Sequence, residues 1–168
     1  MPNKKSGFTL IEIVIYVAIM GLVLSALIMF FLTIGNNRDK AYSASEVEAN
    51  AKITLNEISS LIRQARSFDD NNSVYNNDQG VLVLFLDEAK TQVASIDLLN
   101  GRVRIQTGFE PAWFVSSPAV SFSRLNFSKL SDQQISLDMS LAFGPLGAEI
   151  TPEKTYKQNL TTTISIRQ

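Results

Sequence analysis

Glu12 is the only charged residue in an apolar run that extends over residues 8–34. A run of that length can cross a bilayer, for which about 20 apolar residues suffice. A carboxylate inside such a segment costs roughly 2.5 to 3.5 kcal/mol at the membrane centre. The chemistry open to it there is charge pairing, because a cation beside it offsets the cost of removing it from water. Just before the run stand Lys4 and Lys5, followed by Ser6, Gly7 and Phe8. This places a small flexible residue and then a bulky apolar one at the edge of the span.

Other chemistry is thinly represented. The chain has no His and no Cys, which removes Ser-His-Asp and Cys-His nucleophiles, thiolate metal sites and disulfides. Basic and acidic residues number 15 and 16, and no Lys/Arg cluster exceeds the Lys4-Lys5 pair. Nucleic acid is therefore not an expected partner. Asp69, Asp70, Asn71 and Asn72, with Asn76, Asn77 and Asp78, form a polar stretch ending at Gly80. Their oxygens suit calcium, but the spacing does not fit an EF-hand loop. A solvated turn is the expectation, and no metal, cofactor or catalytic constellation is expected. A glycine-rich phosphate loop and internal repeats are also missing from the sequence.

The elements that position these residues can be read from periodicity. After Gly35, Asn36 and Asn37 the pattern turns amphipathic, with Ala51, Leu55, Ile58, Ile62 and Ala65 on one helical face. Gly and Pro are missing from 36–66, so one helix over 9–66 is expected, about 87 Å long at 1.5 Å per residue. Beyond it, 81–86, 93–98, 102–106, 120–127, 135–141 and 161–167 read as strands. Asn100-Gly101 is a hairpin signal between the second and third. The expected fold is α+β: a long amino-terminal helix packed against an antiparallel sheet of about five to seven strands. That sheet would form a meander covering Leu55, Ile58 and Ile62. Trp113 and Phe114 are expected to cap the core beneath a loop, the other reading being an exposed contact for a neighbouring molecule. Gly144-Pro145-Leu146-Gly147 and Thr151-Pro152 mark a long irregular connection before the last strand.

Three readings of the front segment follow. A secretory signal cut after Leu24-Ser25-Ala26 conflicts with the apolar run continuing past that point and with Glu12 near its start. A plain membrane anchor accommodates Glu12 by letting it reach the headgroups. The third reading uses the whole string, Lys4-Lys5-Ser6-Gly7-Phe8-Thr9-Leu10-Ile11-Glu12 followed by the unbroken apolar helix. It closely resembles the amino terminus of type IV pilins and of the pseudopilins of type II secretion systems.

That resemblance implies a pilin-like fold and cleavage by a dedicated prepilin peptidase between Gly7 and Phe8. It also implies N-methylation of Phe8 and assembly through Glu12, which matches the family's glutamate at the fifth mature position. The amine of Phe8 on a neighbouring helix would pair with Glu12 and fix the axial stagger. Partners implied are prepilin peptidase, other pilin or pseudopilin subunits, an inner-membrane assembly platform and membrane lipid. The division implied is a leader at 1–7, a membrane or filament-core helix at 8–35, its amphipathic continuation at 36–66 and a β-rich domain at 67–168. The amino terminus would face the cytoplasm and the domain the outside, before transfer to a pilus or pseudopilus. Two features depart from the common pattern. Ser6 stands where many members have Lys or Arg, and no proline interrupts the helix, in which Gly21 is the one weak point. The missing proline points to a minor or pseudopilin-like subunit. The alternating strands and the Thr-Thr-Ile-Ser-Ile-Arg ending resemble the J- and W-type minor members. A membrane-anchored binding domain that never enters a filament is the alternative, and an enzyme is not expected.

Overall fold

The computed structural model describes residues 9–144 and 156–167. One helix, α1 (Leu10–Gln64), is followed by eight strands. Two compact units meet at Asp39 and Lys40. In the first, α1 carries apolar side chains such as Leu10, Ile19, Met29 and Phe31 that are all exposed. By length and composition this part of α1 is sufficient to cross a membrane.

In the second unit the rest of α1 lies over a β-rich body. Its buried stripe is Val47, Ala51, Thr54, Ile58, Ile62 and Ala65, recurring at three and four residues as one helical face requires. Leu55, expected on this stripe, is only half-buried at its margin, and Thr54 takes the central place. The helix ends at Gln64 rather than at 66 because the backbone N–H of Arg66 donates to the carbonyl of Phe85 at 2.8 Å. From there the chain enters a sheet.

The strands are β1 (Ser67–Phe68), β2 (Leu82–Phe85), β3 (Val93–Leu99), β4 (Arg102–Thr107), β5 (Trp113–Phe114), β6 (Val120–Ser131), β7 (Gln134–Phe143) and β8 (Lys157–Ser165). They form two antiparallel sheets rather than the one expected meander, β1-β2-β3-β4-β5 and β6-β7-β8. The β3–β4 hairpin follows the sequence signal: Asn100 and Gly101 have φ of 52° and 72°, the left-handed pair a two-residue turn of this type needs. The expected alternation in β6 breaks between Phe122 and Leu125, both fully buried. A register shift between Phe122 and Arg124 supplies the extra residue and returns Leu125 and Phe127 to the core face. The last strand starts at Lys157 and stops at Ser165, because it pairs residue by residue with β7 from Ala142 to Gln134. The inner faces of both sheets join the α1 stripe in one core, with Phe122, Phe127, Leu82, Ile96, Ile105 and Met139 fully buried.

Candidate functional site

The candidate site is the first turn of α1. Thr9 stands just before the helix, and Glu12 is the acidic residue of its first turn. The backbone N–H of Glu12 donates to the carbonyl of Thr9 at 3.1 Å and approaches the Thr9 hydroxyl oxygen at 3.4 Å. Thr9 and Glu12 thus occupy the first and fourth positions of a helix-capping pattern, Thr-x-x-Glu. The negative charge also falls where the helix dipole favours it, an effect worth about 0.3 to 1 kcal/mol. The assembly reading of Glu12 passed over this local role, although Thr9-Leu10-Ile11-Glu12 ahead of an apolar run is its recognised sequence signal.

Glu12 is partly exposed, and the Tyr16 hydroxyl donates to its carboxylate at 3.4 Å, a long and exposed contact one turn along. No ion pair reaches Glu12 among the described residues. Gly7 and Phe8, the expected cleavage and methylation positions, lie outside the described residues, as do residues 145–155 of the expected irregular connection.

The polar stretch at 69–80 is a strap across the domain. Asp69 is buried; its carboxylate accepts from the backbone N–H of Asn71 at 3.1 Å and from the Asn72 amide at 2.7 Å. Asp70 pairs with Lys129 at 2.6 Å and accepts from the Tyr75 hydroxyl at 2.9 Å. The Lys129 ammonium, then the Tyr75 hydroxyl, hold the Asp70 carboxyl below the ordinary carboxylate range. Asp70 and Asp132 in turn raise Lys129 above the usual lysine range. Asp78 pairs with Arg124 at 2.9 Å. These carboxylates therefore serve different internal partners, and among the described residues no three metal-ligating groups converge.

At the strap's end Gly80 donates to the Leu125 carbonyl at 2.8 Å. A Cβ there would lie 2.9 Å from that same oxygen and 3.2 Å from the Val74 carbonyl, so close approach of two backbones requires glycine at this position. Trp113 and Phe114 form the edge strand β5 and are exposed, rather than capping the core as expected. The Arg102 guanidinium stacks over the Phe114 ring, 4.2 Å from its centroid.

An exposed apolar helix that starts at a capped acidic turn and leads into an antiparallel β-rich body defines a pilin-like α+β protein. A family model described as the prokaryotic N-terminal methylation motif matches residues 2–28. That match spans the Gly7-Phe8 junction, Glu12 and most of the apolar run, and none of the β-rich part. No curated protein and no solved structure matches the chain. The motif, carried into the start of this helix and ahead of these sheets, is consistent with a type IV pilin-like protein and points to amino-terminal processing of the prepilin kind.

Proposed function

We propose that this chain is a structural subunit, a minor pilin or pseudopilin, of a type IV pilus-like filament. Prepilin peptidase cuts it between Gly7 and Phe8 and methylates the new Phe8 amine. The protein waits in the inner membrane with its amino terminus in the cytoplasm and residues 67–168 outside, and the assembly platform then moves it into the filament. Residues 8–35 are the membrane and core helix, and the rest of α1, ending at Gln64, is its continuation.

The observation that carries this reading is the coincidence of the methylation motif with a helix whose apolar side chains, among the described residues, are exposed along its first half. Such a surface is stable in lipid, or against the equivalent helices of other subunits. Glu12 adds to it. Among the described residues its carboxylate has a long contact to Tyr16 and no ion pair, and the protonated amine of a neighbouring Phe8 would supply a counter-charge. That pairing relieves the cost of two separate ions near lipid and selects one stagger between helices.

Mass spectrometry of the mature protein from membranes tests the reading directly. A terminus at N-methylated Phe8 is expected. An intact Met1 instead supports the anchored binding domain and removes the filament proposal.

A further inference from the structure

The two sheets have four edges, and three of them are closed to further pairing. β1 and β5 are two residues long. The outer side of β6 is occupied by backbone bonds from the strap and the β3–β4 turn: Asn76 N–H to the Phe127 carbonyl, Leu125 N–H to the Asp78 carbonyl, and Phe122 N–H to the Gly101 carbonyl, each 2.8 Å. The fourth edge belongs to β8, nine residues that pair with β7 alone among the described residues. Sheets ordinarily protect such an edge with charges, proline, a bulge or a short strand. β8 contains no proline, has an unbroken register against β7 and bears one charge, Lys157 at its beginning.

Beside this edge runs a groove of about 430 Å³ between β8 and α1, with Leu55, Ser59 and Arg63 on the helix and Thr162 and Arg167 on the strand side. Leu55, half-buried at the margin of the α1 stripe, is the one apolar residue in an otherwise polar lining. Arg63 and Arg167 are both exposed and take part in none of the ion pairs that Arg104, Arg124 and Lys129 make elsewhere on the domain. Arg63 is in the last turn of α1, where a cation offsets the negative helix end. That role does not extend to Arg167, which follows β8.

We infer that the β8 edge and its groove form a docking site for an extended acidic peptide segment of a partner protein, which adds to the sheet as a further strand. Strand addition supplies backbone hydrogen bonds at the usual spacing of about 4.8 Å, and alternate side chains of the added strand face the groove. Apolar ones there meet Leu55, and Asp or Glu toward one end meets Arg63 and Arg167. The charge of the two arginines selects the acidic class.

The test uses the full-length chain in detergent micelles and a fluorescent, capped hexapeptide, Val-Thr-Val-Thr-Glu-Thr, whose two valines and glutamate lie on one face of the added strand. Anisotropy should report binding, and hydrogen exchange of the β8 amides should slow on adding the peptide. The Arg63→Glu, Arg167→Glu double variant, with unchanged circular dichroism, should bind about tenfold more weakly, as two surface charge pairs allow. Absence of binding overturns the inference. Equal binding of the peptide with lysine in place of its glutamate overturns the acidic specificity, and equal binding of its backbone N-methylated form overturns strand addition.

Discussion

Glu12→Gln separates the two roles that the first turn of α1 offers this residue. Glutamine keeps the side-chain length, can still accept from the Tyr16 hydroxyl, and is as acceptable as glutamate at the fourth position of the capping pattern begun by Thr9. What it removes is the charge. If Glu12 served only to start the helix, the loss would be the dipole interaction, about 0.3 to 1 kcal/mol, or at most about fivefold in an equilibrium. If Glu12 pairs with the Phe8 amine of a neighbour, the substitution leaves that amine buried without its counter-charge. Breaking such a pair costs about 3 to 5 kcal/mol, a hundredfold or more. The assay is the fraction of subunit recovered in sheared filaments, normalised to its level in membranes. A glutamine variant found in filaments within about fivefold of the parent would refute the pairing argument. Glu12→Ala and Glu12→Leu should also insert normally and fail to assemble, but they remove cap and charge together.

Gly80→Ala should destabilise the β-rich unit by about 1 to 3 kcal/mol, because the new methyl meets two backbone carbonyls that cannot rotate away. Thermal unfolding followed by circular dichroism should show a Tm several degrees lower; an unchanged or raised Tm would mean the strap has room to shift. Asp70 has its pKa lowered in the fold, so its contribution is present above the unfolded carboxylate range near pH 4 and is lost as pH falls through its lower folded value. Asp70→Asn should therefore narrow the difference in denaturant stability between pH 7 and pH 3, modestly because the side chain is half exposed; an identical difference in parent and variant counts against the Lys129 pairing. Trp113, the one tryptophan, is 40% exposed, and acrylamide should quench its fluorescence efficiently, whereas protection would mean that it is covered.

The local signals in this chain are legible without its structure. Residues 8–34 announce a lipid-compatible helix because a continuous apolar run has one stable use at that length. The spacing of Ala51, Ile58, Ile62 and Ala65 continues the helix as an amphipathic one, and Asn100-Gly101 marks its hairpin because few other pairs accept two left-handed residues in succession. Thr9 and Glu12 were equally readable as a cap.

Long-range pairing decided the rest. The division into two sheets depends on which strands find each other, and short apolar runs such as 81–86 carry no address for a partner. The β6 bulge is invisible to a period-two count because its evidence is the burial of Phe122 and Leu125 on one face. The ends of β8 are set by β7, the close approach that requires Gly80 comes from the strap crossing β6, and Trp113 is exposed because its two-residue strand lies at a sheet edge. Sequence determined the helix, its acidic first turn and the turn residues, since these depend on neighbours within about four positions. Register, edges and the groove between Arg63 and Arg167 came from tertiary structure alone, because they join residues far apart in the chain, as Arg63 and Arg167 are.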